Sequence, residues 1–406
     1  MNCLMIKTSK NFWIGCVIIF ELMISFSLNA QDKRAQFSPI LKDSYFAVNI
    51  GYINYNFTLA QLEPGYTAES VTVPHVAVRV VLFGHRFNDY LAAQITYMRP
   101  VGWVEYKNIN GTGATRSIRM NVAGLTIRPS LPVSKKLTIN GEAGLGIITR
   151  CGTDINGSIV VKDAVCGSFL FGGSVGYHLN RNWELTAGTV WSPKNTSVKQ
   201  PSTVFYSGGF NYTMRSLPKE RAEKSKNSGL IFPKNMVQVG YGTNALGYGV
   251  NKFVSGTVPI FWGGEIDIKK GVSLTYVRNV YHGKKVFSID WGLDVSYWKT
   301  KKNNEDFFAA SIYPVARFTA LRTKSTDLYF MYSIAGPTYI SRIIMDGMKT
   351  GTNFTFRDAM GMGVFYGKKR EVNAEIRIAH YSNGNILPPN NGVKIPLTFT
   401  FGYTFD

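Results

Sequence analysis

The sequence predicts an all-β protein made of two tandem antiparallel β-barrels that cross a membrane. Three observations support this fold class. Strand-like segments carry one apolar and one polar face, and a strongly aromatic closing segment occurs twice. Only 17% of the 406 residues are charged, whereas 14% are aromatic. A cytosolic protein of this length usually carries more charge and clearer helical periodicity.

The first thirty residues have the pattern of a secretory signal peptide. Lys7 and Lys10 precede an apolar run over residues 12–28, and Ala30 provides a small residue before a polar segment. Glu21 is unusual within the apolar run, so a retained membrane helix is the alternative. No later segment reaches the roughly 20 apolar residues that a spanning helix requires. We therefore expect export without a second helical anchor, to the outer membrane of a bacterium.

Alternation between apolar and polar side chains identifies the strands. Over residues 287–297, the odd positions are apolar or aromatic and the even positions are small or acidic. A soluble sandwich would turn its apolar face inward, whereas an outer-membrane barrel turns it toward lipid. Alternation alone does not distinguish the two. The export signal, the strand length and the aromatic strand ends favour the barrel.

The repeated ending divides the chain. Residues 204–214 and 393–405 each place large apolar and aromatic side chains on one face, as closing strands of outer-membrane barrels do. The charged segment 215–228 between them is typical of a linker. About eight strands are expected on each side, although 235–247 is hard to place, and a single large barrel is the alternative. The predicted organisation is a signal peptide (1–30), an N-terminal barrel (31–214), a linker (215–234) and a C-terminal barrel (235–406).

The four cysteines provide one candidate disulfide. Cys3 and Cys16 lie in the predicted signal peptide, away from its cleavage site, which argues against a lipoprotein. Cys151 and Cys166 flank a polar segment and are the candidate pair for a disulfide.

The net charge of +20 is dispersed, so an anionic lipid surface is the expected counterpart rather than nucleic acid. The remaining histidines lack metal-ligand spacing, and we expect no metal or cofactor.

The segment 371–382 carries a histidine and a serine on an unexpected face. Its odd positions, from Glu371 to Tyr381, form a polar row suited to a barrel interior. His380 and Ser382 therefore belong to the apolar, lipid-facing row, since side chains alternate across a strand. Two residues apart on one face, their Cα atoms are about 7 Å apart. An imidazole and a hydroxyl can bridge that distance, as a general base and a nucleophile for acyl transfer require.

A third polar residue is predicted to join them from the preceding strand. Over residues 354–364, Asp358 falls in the apolar row. The short turn around residues 368–370 places Asp358 opposite either His380 or Ile378, one diagonal step away. Three polar side chains would then converge on one part of a lipid-facing wall. The alternative is that they only meet headgroups or loop backbone near the membrane boundary.

The end of the chain resembles a known family. Residues 380–405, "HYSNGNILPPNNGVKIPLTFTFGYTF", resemble the C-terminal signature of PagL-type lipid A deacylases, with looser similarity back to about residue 255. The resemblance implies that Ser382 is the nucleophile and His380 the base, that Asn390 helps to hold the oxyanion, and that Asn383 supports the site. Residues 31–230 resemble only a generic OmpA-like outer-membrane barrel.

Two positions depart from the pattern of that family. Asn385 stands where the family commonly has glycine, and Lys394 stands where it has a carboxylate twelve residues after the serine. Lysine cannot act as the acidic member, and alternation also assigns Lys394 to the interior row. We therefore expect Asp358 to be the acid.

The predicted function is an outer-membrane serine esterase that hydrolyses an acyl ester of lipid A in lipopolysaccharide. The alternative is a non-catalytic double-barrel protein with a structural or surface-binding role.

Overall fold

The computed structural model describes residues 34–257 and 264–406. The predicted signal peptide, residues 1–30, lies outside the described residues. In the N-terminal half the strands are β1 (Ser44–Tyr55), β2 (Ser70–Thr72), β3 (Val76–Arg86), β4 (Leu91–Pro100), β5 (Val104–Lys107), β6 (Arg116–Pro132), β7 (Leu137–Cys151), β8 (Thr153–Ile155), β9 (Ser158–Val161), β10 (Ala164–His178), β11 (Trp183–Ser192) and β12 (Thr203–Thr213).

Two α-helices and ten further strands follow in the described part of the chain. The helices are α1 (Lys219–Lys226) and α2 (Gly249–Thr257). The strands are β13 (Asn235–Thr243), β14 (Ile266–His282), β15 (Phe287–Thr300), β16 (Asp306–Arg322), β17 (Thr326–Ile340), β18 (Ile344–Met345), β19 (Met348–Lys349), β20 (Phe354–Tyr366), β21 (Val372–Ser382) and β22 (Val393–Phe405).

The strands form two closed eight-stranded antiparallel barrels. The first has the order β6-β4-β3-β1-β12-β11-β10-β7 and closes by pairing β6 with β7, while β5 and β2 extend one end of β6. The second has the order β13-β14-β15-β16-β17-β20-β21-β22 and closes by pairing β13 with β22. The predicted fold class is confirmed. The segment that was hard to place contains β13, the first strand of the second barrel.

Both barrels turn their apolar side chains outward. Leu125, Leu145 and Phe401 on the outer walls are each more than 60% exposed. The alternate positions are polar and buried inside, as Thr126 on β6 and Thr400 on β22 show. A barrel with an apolar outer wall and a polar interior is suited to a bilayer. None of the helices in the described ranges is both long and apolar enough to span a membrane.

Charged side chains fill the interiors and pair with one another. In the C-terminal barrel, Arg317 lies 2.9 Å from Asp290, and Arg377 lies 3.5 Å from Asp294. In the N-terminal barrel, Glu184 accepts hydrogen bonds of 3.0 Å from both Arg86 and Arg128. Pairing offsets the cost of removing such charges from water. The side chains occupy the interior, as is common in eight-stranded barrels.

Replacing Glu184 with glutamine is expected to destabilise the N-terminal barrel. Glu184 is 2% exposed, and the change leaves Arg86 and Arg128 without their carboxylate. Breaking a buried ion pair from one side typically costs about 3 kcal/mol or more. Urea titration of the refolded protein, followed by tryptophan fluorescence, should show a lower unfolding midpoint.

The matched control for that variant is Glu105→Gln. The Glu105 carboxylate lies 3.9 Å from Lys107, and both side chains are more than 40% exposed. Exposed pairs contribute little, so we expect a change within about 0.5 kcal/mol. Equal shifts for the two variants would contradict the structural role of Glu184.

Contacts at both ends place the barrels side by side. We call the end with turns such as 179–182 and 323–325 the short-turn end, and the other the long-loop end. At the short-turn end, the Phe37 ring stacks on Tyr281 with centroids 4.2 Å apart. At the long-loop end, the Tyr97 hydroxyl donates a 2.8 Å hydrogen bond to the Gly384 carbonyl. The two barrels therefore present their long loops in the same direction.

The predicted disulfide between Cys151 and Cys166 is wrong. Both cysteines are free thiols. Cys166 is buried inside the N-terminal barrel with Leu170. Cys151 lies on the outer row of β7, two residues beyond Thr149. The spacing in sequence suggested a closed loop, but the two side chains point to opposite faces of neighbouring strands, and such a pair cannot form a bond without moving the backbone.

Candidate active site

Two pairings between β20 and β21 were expected, and the structure shows one of them. In the antiparallel register, Asp358 lies directly opposite His380, and Phe356 lies opposite Ser382. Asp358 Oδ2 is 3.6 Å from His380 Nδ1. All three polar residues are in the outer row, because their neighbours Arg357 and Tyr381 are buried inside the barrel. The expected position of Asp358 next to His380 is therefore confirmed as geometry.

A bulge in β17 supplies a hydrogen-bond donor to Asp358. The pairing of β17 with β20 shifts between Ser333 and Gly336, and Ala335 at this point has a φ of 51°. The Ala335 amide donates a 2.6 Å hydrogen bond to Asp358 Oδ1. A bulge frees a backbone amide from the ladder and can direct it out of the wall. One carboxylate oxygen is thus held by backbone, and the other faces His380.

The hydroxyl of Ser382 lies at the end of β21, against the loop formed by residues 383–392. The Gly384 amide donates to Ser382 Oγ at 3.2 Å, and Asn390 Nδ2 donates to it at 2.9 Å. Gly384 has a φ of 64°, a conformation that glycine adopts without steric cost. The resemblance assigned Asn390 to the oxyanion, and the structure places its amide at the serine oxygen.

Asn383 holds the same loop in shape. It is 1% exposed, and its side-chain amide donates to the carbonyls of Leu387 at 2.7 Å and Thr350 at 3.2 Å. Its backbone amide donates to Asn390 Oδ1 at 3.2 Å. These bonds orient the Asn390 side chain so that Nδ2 faces Ser382. Asn383 therefore positions Asn390 and is not itself directed at the hydroxyl.

The expected interior location of Lys394 is wrong. In the pairing of β21 with β22, two residues, Pro396 and Leu397, oppose the single residue Ile378. This bulge reverses the inward and outward alternation of β22 beyond it. Val393 is consequently buried in the interior cluster, and Lys394 lies on the outer wall directly opposite His380. His380 is flanked by Asp358 on one neighbouring strand and by Lys394 on the other.

The Lys394 ammonium group has its own partners. It lies 3.1 Å from Asp267 and 5.2 Å from the centre of the Tyr248 ring. Burial, followed by the charge of Asp267, raises the pKa of Tyr248, so its hydroxyl stays neutral. That hydroxyl donates to the Ile268 carbonyl. Lys394 thus has a carboxylate and an aromatic ring to interact with on the side facing β14.

Helix α2 covers the outer wall beside the histidine. Val254 packs against Ile378, and Asn251 donates a 2.8 Å hydrogen bond to the Ile395 carbonyl. Ile378 and His380 are 2% and 1% exposed, although both belong to the outer row. The opposite side of the helix leaves Phe253 70% exposed. The patch is therefore shielded from the surroundings, while an apolar ring projects outward next to it.

Several residues of the site were not found from the sequence. Ala335 is adjacent to Gly336-Pro337, and Pro396 interrupts β22; glycine and proline within a strand are the usual signals for a bulge. Asn251 lies in a region without a clear strand or helix pattern. Tyr97 contacts the loop from the other barrel, which no local pattern predicts.

Part of the chain is similar to the model of a known family. Residues 270–404 match the family model "Lipid A 3-O-deacylase (PagL)". The match includes β20, β21, the loop that follows β21, and β22 up to residue 404. A search of curated proteins found no match.

Solved structures similar to the chain include small outer-membrane proteins. The outer membrane enzyme PagL is 14% identical, and the alignment covers 42% of this chain and 99% of that one, with a TM-score of 0.31. Neisserial surface protein A (NspA) is 15% identical, with 42% and 97% covered and a TM-score of 0.29. Ail, the attachment invasion locus protein of Yersinia pestis, is 11% identical, with 42% and 98% covered and a TM-score of 0.28.

Proposed function

We propose that the C-terminal barrel hydrolyses an ester-linked acyl chain of lipid A in the outer membrane of a bacterium. The observation that carries this proposal is the pairing of Asp358 with His380 on the outer wall, two residues from Ser382. The family match over residues 270–404 supplies the substrate class. Acyl transfer to serine requires a nucleophile, a base next to it and an acid next to the base, and Ser382, His380 and Asp358 would take these roles.

The outward location of the three residues suits a lipid substrate. Ionisable side chains in the outer row of a membrane barrel are costly and mark functional sites. Lipid A can reach such a site by lateral diffusion, without leaving the bilayer. Helix α2 packs on the same outer wall at Ile378, and its exposed apolar side chains Val250 and Phe253 offer a surface for an acyl chain.

In the first half of the reaction, Ser382 Oγ attacks the ester carbonyl carbon and its proton passes to His380 Nε2. Asp358 faces the other ring nitrogen, Nδ1, and stabilises the imidazolium that forms. The tetrahedral intermediate then collapses. The bond to the sugar oxygen breaks, His380 donates its proton to that oxygen, and an acyl-enzyme on Ser382 remains.

In the second half, water attacks the acyl-enzyme. His380 accepts a proton from the water, and the resulting intermediate collapses to release the fatty acid and restore the Ser382 hydroxyl. The proton on His380 returns to Ser382 Oγ as the bond to carbon breaks. No cofactor takes part in this scheme.

The loop that contacts Ser382 provides donors for the oxyanion. The Gly384 amide and Asn390 Nδ2 are both within 3.2 Å of Ser382 Oγ. A carbonyl that is attacked by this oxygen brings its own oxygen close to the same donors. Preorganised donors at such a position commonly contribute about 10²-fold or more to the rate.

The test is a comparison of lipid A from isogenic cells with and without the full-length chain. Mass spectrometry should show a species that lacks one acyl chain only when the protein is present, and the free fatty acid should appear in the medium or membrane extract. Purified protein in detergent should release the same acid from lipid A.

An unchanged lipid A profile in cells, together with no acid released in vitro, would contradict the proposal. The alternative, a non-catalytic double-barrel protein with a structural or surface-binding role, would then be preferred. Fractionation of the same cells tests the location, since the protein should separate with outer-membrane markers.

A further inference from the structure

The outer wall of the N-terminal barrel changes character at its long-loop end. Nearer the short-turn end of β4, β6 and β7, the outward residues Ile95, Leu125 and Leu145 are apolar and exposed. Nearer the long-loop end of β6 and β7, Asn121 and Thr149 are also in the outward row, but they are polar and at most 2% exposed. A buried polar row is unsuited to lipid contact. This part of the wall is therefore an interface rather than a lipid-facing surface.

Tyr97 on β4 connects that interface to the candidate active site. Its hydroxyl oxygen lies 2.8 Å from the Gly384 carbonyl oxygen and 2.9 Å from Asn121 Oδ1, so its single proton is shared between two acceptors. Its ring also lies against Gly384, since a Cβ at that glycine would be 3.6 Å from the Tyr97 ring. The contact thus combines packing with hydrogen bonding.

Gly384 is held from both sides. Its carbonyl receives the Tyr97 hydroxyl, and its amide donates to Ser382 Oγ. Two hydrogen bonds therefore link a residue of the N-terminal barrel to the proposed nucleophile through a single glycine. A displacement of Gly384 would move the amide that faces Ser382 and, along the same loop, the Asn390 side chain.

We propose that the N-terminal barrel supports the loop formed by residues 383–392, and that Tyr97 is the residue that positions this loop. The N-terminal barrel provides a rigid wall against which residues 383–392 are ordered before substrate arrives. This role rests on the proposed deacylase function, because it concerns the geometry around Ser382. Tyr97 itself contacts neither the substrate nor the reacting atoms.

The variant Tyr97→Phe removes the hydroxyl and keeps the ring. With the full-length protein in detergent and lipid A as substrate, we expect kcat to fall about fivefold to tenfold, the effect of one hydrogen bond. KM should remain unchanged, because the substrate surface is untouched. Tyr206→Phe is the matched control: this tyrosine is 54% exposed on the outer wall of the same barrel, and its variant should keep the parent kcat.

Hydrogen–deuterium exchange provides a readout that does not depend on turnover. Amides of residues 383–392 should exchange about fivefold to tenfold faster in Tyr97→Phe than in the parent, while those of loop 152–163 keep their rates. A merely structural role would lower overall stability and accelerate exchange in both barrels alike.

Several results would overturn the inference. An unchanged kcat in Tyr97→Phe would show that the contact does not position Ser382, even if exchange increased. Unchanged exchange would show that Tyr97 does not order the loop. If the parent protein released no acyl chain, the proposed function would fail, and the positioning role of Tyr97 would fail with it. If Ser382→Ala lost activity as expected and Tyr97→Phe kept the parent kcat, only the positioning role of Tyr97 would be excluded.

Discussion

Replacing Ser382 with alanine is expected to abolish deacylation of lipid A. The change removes the only atom that the proposed mechanism makes covalent with the substrate. Loss of a serine nucleophile typically lowers kcat by about 10⁴- to 10⁶-fold. Release of fatty acid from lipid A by purified protein gives the rate, and heat-modifiable migration in gels confirms that both barrels remain folded.

A neighbouring serine serves as the control. Ser255 on α2 is half-buried, and its hydroxyl donates to the Lys252 carbonyl at 3.2 Å within the same helix. Ser255→Ala should keep the parent rate, because its hydroxyl has no place in the reaction. Persistent deacylation by folded Ser382→Ala would remove Ser382 from the mechanism and return His380 and Asn390 to a structural role.

The second large effect is expected for Asp358→Asn. The amide retains the volume of the side chain and can still accept from the Ala335 amide, but it cannot stabilise an imidazolium at His380. The analogous change in a serine protease costs about 10⁴-fold in kcat, so we expect a loss between about 10² and 10⁴. The distance of 3.6 Å to His380 is longer than a hydrogen bond, which favours the lower part of this range.

The position of Lys394 allows a rescue experiment. It faces His380 from the other neighbouring strand, so Lys394→Glu combined with Asp358→Asn places a carboxylate on the opposite side of the imidazole. We expect part of the lost rate to return. Asp267→Asn, which removes the partner of Lys394, is the control and should have a much smaller effect. Parent-like rates in Asp358→Asn would exclude Asp358 as the acid.

Strand alternation allowed much of this site to be predicted. The period of two placed Asp358, His380 and Ser382 in one outward row, and the short turn around residues 368–370 restricted the register to two choices. Both inferences rely only on neighbouring residues. The positions of Asn390 and Asn383 came from the family resemblance, because a loop of ten residues has no periodicity from which contacts can be derived.

Features that depend on irregularity or on distant contacts could not be predicted. One extra residue at Pro396 reverses the alternation of β22, so that simple counting assigned Lys394 to the wrong face. Asn251 reaches the Ile395 carbonyl across 144 positions of sequence, and Tyr97 reaches Gly384 across 287. Such contacts follow from how whole elements pack, which local patterns do not encode.

The number of strands in the N-terminal barrel has a consequence for membrane insertion. Because eight is even, the chain leaves β12 on the same side of the bilayer from which it entered β1. The basic and acidic side chains of α1 therefore never have to traverse hydrocarbon on the way to β13. A deletion of a single strand from the first barrel would instead invert the second one, and would carry Ser382 to the opposite leaflet.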